Sequence, residues 1–292
     1  MAEGKRSLKD CANSDASRQL QERAVARRAA KAESIRDERR QRRLNTATTL
    51  ATSHKSNLTG LTAATDPSEL FGGDVKCILE PEVTQGPYYV NGELVRSDIR
   101  EGQKGVDLYA EIQIIDFNTC EPVEGLYLDF WHCNATGVYS ASNVDKTFSR
   151  GLQTTDKDGV ASYTTIFPGH YTSRATHMHI IGTYNGTLLE NNTYSGGYAS
   201  YDLITEVELT APYSSNTQEL TTNADDMILS QEAGGDFDPV MEYVLLGDLV
   251  SDGVLAWISV GAESNGMGFP SGFGSGFGGG PKPAAGSSTG AF

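Results

Sequence analysis

The feature that most constrains the fold is a strict alternation of apolar and polar residues between positions 106 and 114. Polar or amphipathic side chains occupy the odd positions of this run, at Asp107, Tyr109, Glu111 and Gln113. The even positions are apolar: Val106, Leu108, Ala110, Ile112 and Ile114. Since successive side chains of a strand point to opposite faces of a sheet, this run predicts a half-buried β-strand.

More strand signals follow at short spacing. The turn sequence at 118–125 leads to a second alternating run at 126–132, which makes either a hairpin or a sheet-crossing pair with the first. A further turn signal at 156–159 precedes the β-rich run 160–167, which stops at Pro168-Gly169. Strands at this spacing, without helical segments between them, predict an all-β fold with an antiparallel β-sandwich core.

The two ends of the chain have a different composition. Residues 14–44 are rich in Ala, Arg, Glu, Gln and Lys and contain no Gly or Pro, which predicts a helix within a basic segment at 1–45. A Thr-, Ser- and Asn-rich linker is predicted at 46–74. The main folded domain, which contains the predicted β-sandwich, is expected at 75–262. The Gly- and Ser-rich tail at 263–292 has no means of forming a core and is predicted to be disordered.

The charge is divided unevenly along the chain. Residues 1–45 carry 13 Lys and Arg against 7 Asp and Glu, whereas the remainder carries 10 against 31. An acidic body repels nucleic-acid phosphates, so no nucleic-acid partner is expected. The basic run at 38–43 is interpreted as a solvated helix face rather than a nuclear signal or an anionic-surface anchor. The most apolar stretch, 240–261, is interrupted by three acidic residues, so no membrane span is expected.

Two features suggest an extracellular protein, although no secretory signal stands in these residues. Four N-glycosylation triplets occur, at Asn57, Asn134, Asn185 and Asn191. Four cysteines occur, at Cys11, Cys77, Cys120 and Cys133. In a secreted protein they would form two disulfides in any of three connectivities, whereas in a cytosolic one they would be unpaired thiols.

The chemistry is concentrated in a short histidine-rich stretch. Three of the five histidines, His170, His177 and His179, lie within ten residues. Side chains two apart on a strand point the same way, so His177 and His179 can reach one metal ion. Taken alone, such a pair is compatible with zinc, copper or iron.

The sequence around this pair resembles that of the intradiol ring-cleavage dioxygenases. In the run 167–179 a Pro-Gly-x-Tyr is followed by an Arg and then by His-x-His. The segment 131–139, which ends in Tyr139, and the stretch 150–159 are similar to the family's next two motifs upstream. Thr-Gln-Gly-Pro-Tyr-Tyr at 84–89 resembles the family's motif near the pocket, which makes Tyr88 and Tyr89 candidate pocket residues. The likeness covers roughly residues 75–260, with the motifs in the family's order.

The resemblance implies an Fe(III) site and an O2-dependent reaction. Tyr139 and His177 would be equatorial ligands, and Tyr171 and His179 axial ones, with Tyr171 displaced by the substrate. Arg174 would stabilise negative charge on the substrate. The implied partners are a small catecholic substrate and O2, and the implied product is a muconate-type diacid. Two phenolates and two neutral imidazoles suit a hard, highly charged cation.

Other residues near these motifs are given lesser roles. His170 occupies a variable motif position and is interpreted as a residue beside the site or facing solvent. His132 is expected to be packed or at the rim rather than a fifth ligand. Family members that act on simple catechols carry a glutamine where this chain has Thr193 and its neighbours Asn191, Asn192 and Tyr194. The sequence therefore leaves the substrate open, as it does the oligomeric state.

Two rival interpretations remain. The first is a non-catalytic, secreted β-sandwich binding module with a remnant metal site. The presence of Arg174 argues against it, because a purely structural site has no need of an arginine aimed at a substrate. The second is a zinc or copper site that uses only His177 and His179. Colour distinguishes it, since phenolate-to-Fe(III) charge transfer absorbs visible light and zinc does not.

Overall fold

A computed structural model describes most of the chain between residues 44 and 262. The described residues are 33, 37, 40, 41, 44–71, 88–90, 94–116, 118–140, 146–184, 187–194, 201–234 and 238–262. The predicted tail at 263–292 lies outside them, as do Cys11, Cys77 and Asn185. No helix in these ranges is long and apolar enough to cross a membrane.

The fold is mostly sheet with few helices. Within the described ranges, eight strands form two four-stranded sheets, with the orders β4-β1-β8-β7 and β3-β2-β5-β6. The strands are β1 (Asp107–Asp116), β2 (Tyr127–Trp131), β3 (Arg150–Thr154), β4 (Val160–Ile166), β5 (His179–Tyr184), β6 (Thr187–Tyr194), β7 (Glu242–Leu245) and β8 (Val254–Ala262). The strands expected from the alternating runs are therefore present.

The two sheets share one hydrophobic core. The even residues of β1 from Leu108 to Ile114 are buried, as the alternation predicts. They belong to one cluster with Phe130 of β2 and Ile180 of β5, which lie in the other sheet. The rings of Phe130 and Tyr163 stack between the sheets, with centroids 4.5 Å apart. The opposite face of the second sheet does not face this core. It packs a separate cluster that includes Trp131, Tyr139 and Ile181, and the candidate site lies there.

Strand pairing departs from the expected all-antiparallel arrangement at one place. β1 pairs antiparallel with β4 but parallel with β8, from Leu108 opposite Val254 to Asp116 opposite Ala262. A parallel pair needs a long crossover connection, and here the whole second sheet lies between the two strands in the sequence. The alternation of apolar and polar residues within one strand does not indicate whether its partner strand is parallel or antiparallel. The two expected partners β1 and β2 lie in different sheets, so their connection is the sheet-crossing one.

The helices after the first sheet strand are short, whereas helical residues also occur before the sheets. Residues 44–51 form α1, and residues 33, 37, 40 and 41 are also helical; α2 is Tyr201–Glu208 and α3 is Met227–Glu232. Among the described residues, 3-10 turns lie at Pro67–Glu69, Tyr213–Ser215 and Val250–Asp252.

The segment predicted as a linker contacts the domain. Thr46 donates to the carbonyl of Ser230 in α3, and His54 Nε2 lies 2.9 Å from Asp238 Oδ2. The backbone of Ser56 donates to the carbonyl of Tyr243 in β7. These contacts hold residues 46–56 against α3 and β7. The domain boundaries themselves stay a prediction.

Two cysteines lie in the described ranges, and both are free thiols. Cys120 is exposed, whereas Cys133 is buried and its Sγ donates to the carbonyl of Gly169 at 3.0 Å. Burial raises the pKa of Cys133 to about 12. Cys133 is therefore a small packed side chain beside the candidate site. Cys120 and Cys133 do not form a disulfide with each other.

Candidate metal centre

Four side chains from three parts of the chain meet on the outer face of the second sheet. His179 is the first residue of β5 and lies opposite Trp131 of β2. His177 precedes it on the same face, with Met178 between them turned into the core. Tyr139 follows a turn after β2, and Tyr171 lies in the loop after β4. The two phenols thus lie on loops, whereas the two imidazoles lie at the start of β5 and two residues before it.

The polar atoms of these side chains converge. Tyr139 Oη lies 3.1 Å from His179 Nε2, and Tyr171 Oη lies 3.1 Å from His177 Nε2. The two Nε2 atoms are themselves 3.1 Å apart. Ligand atoms at about 2.1 Å from a metal and at right angles to each other are about 3 Å apart. The spacing of the four atoms therefore fits donors around a single ion.

Hydrogen bonding sets the tautomer of His177. Its Nδ1 lies 2.5 Å from the carbonyl oxygen of Ala175, which can only accept. His177 Nδ1 therefore carries the proton, and the lone pair of Nε2 points to the centre. A metal-binding histidine is oriented by its other nitrogen in this way.

Burial favours the uncharged form of all four side chains. It lowers the pKa of His177 to about 3 and that of His179 well below its usual value. It raises the pKa of Tyr171 to about 12 and that of Tyr139 well above 10. Two phenols and two neutral imidazoles are thus the resting donors. A bound cation would favour the phenolates, because opposite charge stabilises the ionised form.

Aromatic rings enclose the cluster. Trp131 stacks on the imidazole of His179, with centroids 4.9 Å apart and planes 6° from parallel. Tyr88 stacks on Tyr139 at 4.3 Å, and Tyr89 lies 5.6 Å from Trp131. Of the two candidate pocket residues, Tyr88 thus contacts a cluster residue directly, and Tyr89 contacts the ring behind His179.

Arg174 lies beside the cluster and is anchored by a buried carboxylate. Its Nε donates to Asp226 Oδ2 at 2.9 Å, and the Asp226 side chain is only 1% exposed. Burial is the main cause of the lowered pKa of both His177 and His179, and the positive charge of Arg174 adds to it, after His177 in the case of His179. The guanidinium is therefore close enough to act on charge at the centre.

The two other histidines near the motifs are structural. His132 is fully buried, and its ring nitrogens lie 2.6 Å from the carbonyl of Cys133 and 2.7 Å from Thr165 Oγ1. Of the two expected positions for His132, packed or at the rim, the structure shows the packed one. Both of its ring nitrogens bond to groups outside the cluster. His170 is also buried, so it does not face solvent.

His170 fixes the loop that carries Tyr171. Its Nδ1 lies 2.7 Å from Glu208 Oε1 of α2, and its Nε2 lies 2.9 Å from the carbonyl of Gln218. Asn216 Nδ2 donates to the His170 carbonyl. Sequence reasoning missed Glu208, Gln218 and Asp226, because the contacts that give them a role join segments 38 to 52 residues apart. Only Asp226 has a local signal, as an N-cap before a helix.

The candidate glycosylation sites have different environments. Asn57 is exposed. Asn134 Oδ1 accepts from the backbone of Thr136 and Val138, and Asn134 Nδ2 donates to Gln103 Oε1. Asn134 thus shapes the turn before Tyr139. Asn191 lies on β6, where Thr193 pairs with Ile181 of β5. Glycosylation stays a prediction.

No group of three or more His, Cys, Asp and Glu side chains comes together as a possible metal site within the described ranges. The candidate metal site therefore depends on Tyr139 and Tyr171 as well as on the two histidines.

Comparison with known proteins supports the resemblance. The family model Dioxygenase_C, described as "Dioxygenase", matches residues 83–185, which include the four cluster residues and Arg174. The intradiol ring-cleavage dioxygenase of Tetranychus urticae is similar in structure, with 25% identity and a TM-score of 0.57 over 65% of this chain and 99% of that one. A second solved dioxygenase shares 25% identity, with a TM-score of 0.55 over 66% and 99% of the two chains. No curated protein sequence matches this chain.

These findings confirm the resemblance to the intradiol ring-cleavage dioxygenases. At the level of the family, they indicate an oxidoreductase that cleaves catechol-type rings.

Proposed function

We propose that this protein is an Fe(III)-dependent enzyme that opens small catechols between their hydroxylated carbons, with O2 as oxidant and a muconate-type diacid as product. The observation that carries the proposal is the convergence of two phenol oxygens and two imidazole nitrogens at separations of 3.1 Å. Two oxygen anions and two neutral nitrogens match a hard trivalent ion better than zinc, which favours nitrogen and sulfur.

In this proposal Tyr139, Tyr171, His177 and His179 hold the iron. Bound Fe(III) would supply Lewis acidity and a redox-active centre that prepares the catecholate for O2. The scaffold is a β-sandwich, supported by the core that the two sheets share and by the stacking of Phe130 on Tyr163.

The chain's own groups divide the remaining work. Tyr139 is 3% exposed and covered by Tyr88, so it is suited to stay in place. Tyr171 is less buried and sits on a loop, so its phenol oxygen would be the one placed to accept a proton from an incoming catechol. Arg174 provides a fixed positive charge for the anionic substrate, which is electrostatic preorganisation.

The extracellular location is part of the proposal and is supported by the exposed Asn57 triplet and the other sequons. Peptide mapping of protein from its natural source, with and without glycosidase, would test it. Unmodified peptides at every sequon would remove that support.

The function is tested on purified protein loaded either with Fe(III) or with Zn(II). The iron form should be coloured, take up O2 with catechol and release a muconate-type diacid, whereas the zinc form should be colourless and inactive. An iron form that is coloured but opens no member of a broad catechol panel would favour the binding module. An uncoloured protein with bound iron would contradict phenolate ligation.

A further inference from the structure

The side chain of Asp226 receives four hydrogen bonds in one buried position. Its Oδ1 accepts from the backbone of Ile228 and Leu229, at 2.8 and 3.1 Å, and so caps α3. Its Oδ2 accepts from Arg174 Nε at 2.9 Å and from the backbone of Ala175 at 2.7 Å. Each oxygen thus has two donors, and the carboxylate joins two segments of the chain that lie far apart in sequence.

The cap fixes the direction of the other oxygen. Because Oδ1 is held by two backbone groups of α3, the carboxylate cannot turn without losing them. Oδ2 therefore faces Arg174 in a defined orientation. A guanidinium is planar, so a bond at Nε also fixes the plane of its two terminal nitrogens. Asp226 is 1% exposed, which keeps water from competing for this charge-assisted bond.

The same carboxylate is connected to the proposed ligand set. It bonds the backbone nitrogen of Ala175, and the carbonyl of Ala175 accepts the Nδ1 proton of His177. One buried anion thus supports both the arginine and the peptide that orients His177.

We infer that Asp226 is a positioning residue, which holds the Arg174 guanidinium in the orientation that the substrate anion requires. This inference rests on the proposed function. The competing explanation is that Asp226 only caps α3 and contributes stability. The two differ in one respect: a positioning role acts through Arg174, whereas a cap does not.

The test separates these roles with Asp226→Ser. Serine is a good N-cap and keeps one oxygen for the amides of α3, but it has no second oxygen for Arg174 and Ala175. The matched control is Asp225→Ser, which alters the exposed neighbouring carboxylate; within the described ranges Asp225 Oδ2 accepts from Thr222 Oγ1 and has no hydrogen bond or ion pair with Arg174. Both changes are made in the parent and in the Arg174→Ala background. kcat/KM for catechol is expressed per bound iron, which removes any effect of lost metal.

Asp226→Ser should lower kcat/KM by about 10- to 100-fold in the parent, because small displacements of a catalytic group have effects of this size. In the Arg174→Ala background it should lower kcat/KM by clearly less than in the parent, since interacting residues are not additive and only the support of Ala175 is left to lose. Asp225→Ser should have no effect in either background. If the losses from Asp226→Ser and Arg174→Ala multiply, Asp226 is only a structural residue and the inference is overturned.

A second measurement does not depend on turnover. Urea unfolding of the metal-free proteins should show the same non-additivity between Asp226 and Arg174, with Asp226→Asn as a second, nearly isosteric variant. Additive stability losses with both variants would overturn the inference. If non-additivity is found but the parent opens no catechol, the proposed function fails while the Asp226–Arg174 pair stands.

Discussion

The rings of Tyr139 and Tyr171 meet edge to face, with centroids 5.5 Å apart, yet their hydroxyls bond to different histidines. Tyr139 bonds to His179 and is 3% exposed, whereas Tyr171 bonds to His177 and is less buried. Burial raises the pKa of both phenols, to about 12 for Tyr171 and well above the usual 10 for Tyr139. The two candidate ligands thus have unequal surroundings.

We therefore expect the two phenols to respond differently to removal of the hydroxyl. Tyr139→Phe should weaken iron binding by at least about 10- to 100-fold, a loss that even groups supporting a ligand can cause, and should bleach the colour. Tyr171→Phe should retain more iron but lose turnover. Iron content, the visible spectrum and O2 uptake measure these effects. Equal iron loss in both variants would contradict the division of roles.

Arg174 provides the second prediction. Arg174→Ala should leave iron content and colour nearly unchanged but lower kcat/KM by about 10²- to 10³-fold, as loss of an oxyanion donor does. Arg100→Ala is the matched control, because Arg100 pairs with Asp98 and Asp107 at the surface. Steady-state assays on iron-loaded proteins measure the effect. An Arg174→Ala variant as fast as the parent would remove the arginine from the reaction.

Gly137 provides a test of how the two tyrosine loops fit together. It has φ +75°, and a Cβ there would collide with the backbone carbonyl of His170, next to Tyr171. Gly137→Ala should destabilise the protein by about 2–4 kcal/mol, because backbone strain adds to the collision. The matched control is Gly125→Ala, which has φ +78° but no atom within 4 Å of the added Cβ. It should cost only about 1–2 kcal/mol. Urea unfolding compares them, and equal losses would mean that the close contact is absent.

Glu111 should make stability depend on pH. Burial raises its pKa to about 7, although Ser162 Oγ donates to its carboxylate. A carboxyl group whose folded pKa lies above its unfolded value favours the folded state most at low pH. This contribution is lost as pH rises from about 4.5 through 7.

Glu111→Gln should therefore raise stability at pH 8 relative to the parent by about 1–3 kcal/mol, and by much less at pH 4.5. The control Glu124→Gln changes an exposed turn residue and should alter neither value. Urea unfolding at the two pH values measures this. A parent and a Glu111→Gln variant with parallel pH profiles would contradict the raised pKa.

Much of the strand content and the candidate ligands could be predicted from local patterns. Alternation at 106–114 located β1, and a spacing of two residues put His177 and His179 on one face of the chain. The tyrosines and Arg174 followed from the motif order. Neither pattern carries information about Asp226, Glu208 or Gln218, whose contacts are made across the fold.

The sequence alone determined which residues alternate, which ones share a strand face and which motifs follow one another, since these properties depend on neighbours a few positions apart. The tertiary structure alone decided that β1 runs parallel to β8, that β1 and β2 separate into different sheets, and that Asp226 meets Arg174. The physical reason is that pairing between distant segments depends on how the chain crosses between sheets. That path is selected by burial of the whole core rather than by the periodicity of any one segment.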